Sequence, residues 1–188
     1  SLLFQASERT DLRFGWGQYY QAQETNELQV SDGIDTYFAA QRAEHFVANV
    51  RHEYSSQTTL ELSVFRKSFR TVKPRFENLF NQLTLVPELQ FDRVMIDPDK
   101  AESLGAEVTL TRDSSTPAIF WWLSYAWART RDWTASGKIV RSWDQTHAVE
   151  AGISADTGPW SLSATAEIHT GWPKTELVAA YTSNPDGS

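Results

Sequence analysis

The stretch Glu44-His45-Phe46-Val47-Ala48-Asn49-Val50-Arg51-His52-Glu53-Tyr54 decides the reading of the fold. Its even positions, Phe46, Ala48, Val50, His52 and Tyr54, are mostly apolar, while the odd ones include His45, Asn49, Arg51 and Glu53. Successive side chains of a strand point to opposite faces, so a period of two separates an apolar from a polar face. The pattern recurs along the chain. Leu60, Leu62 and Val64 oppose Thr59, Glu61 and Ser63, and Leu104, Ala106, Val108 and Leu110 oppose Gly105, Glu107, Thr109 and Thr111. Near the end, Trp160, Leu162, Ala164, Ala166 and Ile168 oppose Ser161, Ser163, Thr165, Glu167 and His169. Three further segments share faces less sharply: Leu12, Phe14 and Trp16; Ile119, Trp121, Leu123, Tyr125 and Trp127; Val149, Ala151 and Ile153. With a short opening strand over 2–7, the expected architecture is all-β, an antiparallel meander of about eight strands.

The connections alternate in length. Polar stretches at 8–10, 55–57, 113–117 and 156–159 read as tight turns. Those at 22–43, 71–101, 132–144 and 173–188 read as long loops, well beyond the median connection of about 4 to 6 residues. The sheet therefore has a short-turn end and a long-loop end. No helix is predicted, and 36–49, which mimics one, is assigned to loop and strand.

Composition narrows the class. The 188 residues carry 17 Lys and Arg against 24 Asp and Glu, a formal net charge of −7, which argues against a nucleic-acid partner and its basic stripe. An apolar content of 40%, with 7 Pro and 9 Gly, excludes collagen and argues for a folded chain. Zero Cys excludes disulfides, thiolate metal sites and a cysteine nucleophile. No run approaches the roughly 20 apolar residues of a spanning helix, and the opening Ser1-Leu2-Leu3-Phe4-Gln5 has no basic leader.

Tilted strands of about 9 to 11 residues, with short turns at one end and long loops at the other, fit an outer-membrane barrel. In hydrocarbon every backbone N–H and C=O must be paired, so strands cross only in a closed sheet, apolar outside and polar inside. A Lys or Arg on the lipid face near the midplane costs about 2 to 4 kcal/mol, and the apolar faces above contain none. Arg66 and Arg112 extend two of them by one step. Arg112 adjoins a short turn and reaches the interface, and Arg66 is ascribed to a bulge near Phe65. Trp160 and Tyr54 beside short turns, with Tyr19, Tyr20, Trp133, Trp143 and Trp172 near the long loops, match interfacial girdles, although aromatics also simply favour strands. A soluble barrel with its apolar face inward uses the same alternation.

Several segments resemble the barrel domain of TonB-dependent outer-membrane receptors. They are Leu12-Arg13-Phe14-Gly15-Trp16-Gly17-Gln18-Tyr19-Tyr20, Gln41-Arg42-Ala43-Glu44-His45-Phe46, Pro74-Arg75-Phe76-Glu77-Asn78-Leu79-Phe80 and Ala101-Glu102-Ser103-Leu104-Gly105-Ala106-Glu107. Trp122-Leu123-Ser124-Tyr125-Ala126, Arg141-Ser142-Trp143-Asp144-Gln145 with His147, and Gly171-Trp172-Pro173 continue the series in order. The resemblance implies energy-coupled uptake of a scarce ligand, a siderophore or other metal complex, cobalamin or a carbohydrate, across the outer membrane of a Gram-negative cell. It further implies a barrel of about 22 strands around a plug, with membrane lipid against the apolar strand face and an inner-membrane coupling complex as partner through N-terminal parts. With eight strands and neither plug nor coupling box in view, residues 1–188 are expected to be a partial receptor barrel domain, an internal piece toward its C-terminal half that does not transport alone. A complete eight-strand barrel is the rival architecture. Against it, Arg13, Arg51, Glu53, Glu61, Glu107, Glu150 and Glu167 would crowd so small an interior.

Chemistry is sparse. His45, His52, His147 and His169 fall on different strands without the i, i+4 spacing of a helical zinc site, so no metal site and no cofactor are assigned. No nucleophile elbow, phosphate loop or dinucleotide fingerprint is present, and Gly15-Trp16-Gly17 reads as close packing or a bend. Asp97, Asp99, Glu102 and Glu107 form the densest acidic stretch, but 24 acidic residues make such a cluster unremarkable and Asp97-Pro98-Asp99-Lys100 reads as a turn. No catalytic residue is assigned. Binding residues concentrate on loops; Tyr37, Phe38, Arg75, Phe76, Phe91 and Arg93 lie there, yet loop aromatics also pack their own loop, so the ligand-binding set stays open. Two other classes remain: a soluble β-barrel binding a small apolar ligand, and a carbohydrate-active β enzyme with two essential carboxylates.

Overall fold

A computed structural model of the chain describes residues 1–25, 28, 30, 33–78, 80–81, 84, 86–115, 118–142 and 144–173. Leu79, Trp143, the turn residues 116–117, parts of 22–43 and 71–101, and the stretch beyond residue 173 lie outside the described residues. The elements are strands β1 (Leu2–Ser7), β2 (Thr10–Gln21), β3 (Gln41–Ser55), β4 (Thr58–Thr71), β5 (Arg75–Asn78), β6 (Arg93–Ile96), β7 (Lys100–Ser115), β8 (Ala118–Thr134), β9 (Gly137–Val140), β10 (His147–Thr157) and β11 (Trp160–His169). A 3-10 turn spans Pro87–Leu89.

Nine strands form one antiparallel sheet, eight of them in the order β1-β2-β3-β4-β7-β8-β10-β11 and the ninth, β9, beside β8. β5 and β6 make a separate two-stranded hairpin that the chain forms on its way from β4 to β7. β8 is longer than its partner β10, and β9 takes up the part of the β8 edge that β10 does not reach, pairing Thr134 with Gly137 through Arg131 with Val140. The backbone groups at that edge are thereby satisfied. At the short-turn end two-residue links join β1 to β2, β3 to β4 and β10 to β11. In the last of these Gly158 has φ +63°, a conformation open to glycine and suited to the twist of a two-residue hairpin.

Register carries the alternation across the whole sheet, because directly opposed residues share a face. One row runs Phe4, Leu12, Val50, Leu62, Val108, Tyr125, Val149 and Ile168. The neighbouring row on the other face runs Asp11, Arg51, Glu61, Thr109, Ser124, Glu150 and Glu167. Neither face is covered by another layer. Leu62 is 43%, Leu162 62% and Ile168 72% exposed, and among the described residues no apolar side chain larger than Pro98 is buried, Ala43 and Ala101 being the others. The chain exposes 13579 Å², against roughly 9,000 Å² for a compact water-soluble monomer of this size.

The bulge expected near Phe65 is corrected by the ladder. Phe46 pairs with Arg66 and Arg66 with Leu104 in unbroken register, and the irregularities of the β3–β4 ladder fall between Arg42 and Ala43 and between Glu53 and Ser55. Arg66 stays on the apolar face, where its Nε donates to Glu102 Oε1 at 2.5 Å. No rotation of the strand is needed, since the carboxylate waits on the same face of the next strand and both stand toward the long-loop end.

Candidate functional site on the polar face and its loop end

The polar face is built from cross-strand partners. Arg51 donates to Glu61 at 3.2 Å and lies 3.5 Å from Glu53. Asn49 Nδ2 donates to Ser63 Oγ at 2.8 Å, and Ser124 Oγ donates to Glu107 Oε1 at 3.2 Å. A hollow of about 400 Å³ opens on this face between Leu3, Asp11, Arg13, Asn49, Arg51 and Glu61. These ion pairs are half-exposed and each contributes little energy. Their value is positional, since they keep charges of both signs on one face of the sheet.

Two aromatic rings lie flat against this face over glycines. Phe65 covers the directly opposed Gly105, and Trp122 covers the directly opposed Gly152; a Cβ at either glycine would collide with the ring. A glycine thus makes room for a large cross-strand neighbour.

At the long-loop end the face closes into a buried ionic clasp. Asp132, fully buried, accepts from Arg141 Nε at 3.2 and 3.1 Å and from its terminal nitrogen at 3.0 Å. Arg75 reaches the second oxygen of Asp132 at 2.7 Å and also holds Glu77 at 2.6 Å. Two guanidiniums meet two carboxylates, so the clasp is self-neutralising, as burial requires. It fastens the β5/β6 hairpin and the segment after β9 onto β8. Asp144 adds a bond, its Oδ1 accepting the Thr130 N–H at 3.0 Å. On the hairpin, Asn78 Nδ2 donates to Asp92 Oδ1 at 2.9 Å, and Asp92 Oδ2 accepts the Phe80 N–H at 2.9 Å.

The loop residues singled out from sequence do not form one set. Arg75 is spent in the clasp. Phe76 pairs with Met95, and Asn78 with Arg93, inside the hairpin ladder. Tyr37 donates to Thr25 Oγ1 at 3.3 Å, and the Phe38 N–H donates to Gln23 Oε1 at 3.0 Å, each within its own loop. Phe91 alone of the six is fully exposed, beside exposed Leu89 and Phe80. The four histidines stand apart: His52 Nδ1 lies 2.9 Å from Thr10 Oγ1, His147 Nδ1 2.8 Å from the Tyr125 hydroxyl, His169 Nδ1 3.2 Å from Gln145, and the His45 ring packs 4.6 Å from Tyr19. Among the described residues no three His, Asp or Glu gather where a metal ion could bind. In the acidic stretch Glu102 and Glu107 occupy opposite faces of β7, so they cannot flank one bond of a substrate. Sequence reasoning missed the Asp132–Arg141–Arg75 clasp; its nearest local signal was an acid and a base flanking the tight turn before Gly137.

No family model and no curated protein matches the sequence. Among solved structures the fold is similar to that of P. aeruginosa FpvA in its complex with a heterologous iron pyoverdine, with a TM-score of 0.59, 14% identity and coverage of 89% of this chain. This chain spans 22% of the length of that one, so the antiparallel meander is one it shares with part of a much longer protein.

Proposed function

We propose that the chain is a sector of the wall of an outer-membrane barrel in a TonB-dependent receptor. The whole protein would carry out energy-coupled uptake of a scarce ligand, with a ferric siderophore foremost and other metal complexes, cobalamin or a carbohydrate as the remaining members of the class. The observation that carries this reading is the uncovered apolar face, continuous over eight strands, with charged pairs on the face behind it. Each large apolar side chain left in water forgoes about 1.5 to 3 kcal/mol, whereas lipid covers them all and leaves the polar face to a wet lumen. The fold shared with FpvA, a TonB-dependent receptor whose solved structure holds an iron pyoverdine, supports the same reading at the level of architecture. The short links then face the periplasm and the long loops the exterior, where the clasped hairpin presents Phe80, Leu89 and Phe91 to arriving ligand. The open edges, β1 and β11, would pair with further strands, and the coupling complex would act through other parts of the protein.

Single cysteines in the whole receptor, in its native membrane, test this. Leu62→Cys, Val108→Cys and Leu162→Cys should resist a water-soluble maleimide and be quenched, once labelled, by brominated lipid. Ser63→Cys and Ser163→Cys should behave in the opposite sense. Uniform aqueous labelling of the apolar row would overturn the assignment.

A further inference from the structure

The two ends of the apolar face differ in charge. At the short-turn end, where Leu60, Tyr54, Ile119 and Trp160 stand, Arg112 is the cation that the row carries. At the long-loop end the register continues past Leu104 and Trp127 into a basic patch: Arg129 stands opposite Leu104, Arg131 opposite Glu102, and Trp133 between Lys100 and Lys138. The ammonium groups of Lys100 and Lys138 each sit 4.8 Å from the Trp133 ring centroid. Glu102 lies within this patch, directly opposite Arg131, and accepts from Arg66, so the cations of the patch outnumber its carboxylate. Between Glu102, Leu104, Trp127, Trp133, Arg129, Arg131 and Lys138 lies a hollow of about 150 Å³, lined by three cations and one carboxylate.

We propose that this hollow binds the phosphate headgroup of an anionic membrane lipid. The proposal rests on the bilayer reading above, which sets these residues at the edge of the hydrocarbon. Arg129, Arg131 and Lys138 supply the charge, guanidiniums being suited to bidentate phosphate contact. Leu104 and Trp127 form a greasy sill that continues into the lipid-facing belt and receives the first methylenes of the acyl chains. That sill favours a lipid over free phosphate, which would gain nothing from it. Like charges gathered on an otherwise apolar surface repel one another, and an anion between them removes that repulsion. Depth agrees too, since a cation on the lipid face is tolerated near the interface and expelled from the midplane.

The test uses the whole receptor in nanodiscs of phosphatidylcholine doped with phosphatidylglycerol, with retained lipid read by native mass spectrometry. Wild type should retain phosphatidylglycerol preferentially. Arg129→Gln with Arg131→Gln and Lys138→Gln should weaken that preference by about a hundredfold, each cation near an anionic headgroup being worth somewhat under a factor of ten. The charge-keeping variant, Arg129→Lys with Arg131→Lys, should retain most of it, which separates loss of charge from loss of fold, and Arg112→Gln should leave it unchanged. An undiminished preference in the triple glutamine variant overturns the site, and so does displacement of the lipid by equimolar inorganic phosphate, which would make it a plain anion site. Aqueous labelling at Leu62→Cys would sink the bilayer reading itself, a result distinct from either.

Discussion

The β3–β4 pair in the middle of the sheet and the β10–β11 pair at its edge obey the same alternation and differ in how their polar faces are completed. On β3 and β4, Arg51 finds Glu61 and Glu53, and Asn49 finds Ser63. On β10 and β11, Glu150 stands directly opposite Glu167, and every residue of β11 is exposed. A period of two assigns a side chain to a face, whereas its partner depends on which strand comes next. The interior pair has both neighbours and is chemically finished; the edge pair shows two carboxylates facing each other, an arrangement that a cation from a further element would resolve.

The contrast can be broken by substitution in the whole protein, with stability read, on the proposed bilayer reading, as the urea midpoint in lipid vesicles. The largest effect is expected from Leu62→Arg, which puts a cation deep in the apolar belt of the interior pair at about 2 to 4 kcal/mol. Leu162→Arg, close to the short turn after β10, should cost about 0 to 1 kcal/mol; equal costs would mean that depth along the strands has been misjudged. Next comes Gly105→Ala, which drives Phe65 off its neighbour at a cost of about 1 to 3 kcal/mol. Gly152→Ala should cost less than Gly105→Ala, because Trp122 lies nearer the edge and can swing away; the reverse order would show that the edge is the more tightly packed region. The smallest effects carry opposite signs. Glu61→Lys opposes Arg51 with a second cation and should destabilise by about 0.2 to 1 kcal/mol, while Glu167→Lys turns a repulsive pair into an attractive one and should stabilise by a similar amount. Two changes of the same sign would end the distinction between finished and unfinished pairs.

The strands were legible because long runs such as 44–54, 58–64 and 160–169 repeat their period often enough to exclude a helix. The four-residue strands β5, β6 and β9 repeat it too few times for the sequence to set them apart from loop. Arg66 misled for another reason. An arginine on an apolar row suggests a rotated strand when the row is taken to be uniform, but the row ends there, and Glu102 receives the charge from a neighbouring strand far along the chain. The clasp was illegible because Asp132 and Arg141 gain meaning only when Arg75 arrives from another loop. Phe65 over Gly105 was hidden likewise, since a glycine in a strand does not announce which ring will lie across it.

The β5/β6 hairpin lies on a chain excursion that leaves β4 and returns at β7, and those two strands pair directly from Thr58 with Arg112 to Phe69 with Ala101. The wall is therefore closed beneath the excursion whatever its length or composition. Substitution or lengthening of that flap leaves the ladder below it intact, and the anchor it must keep is a guanidinium able to reach Asp132.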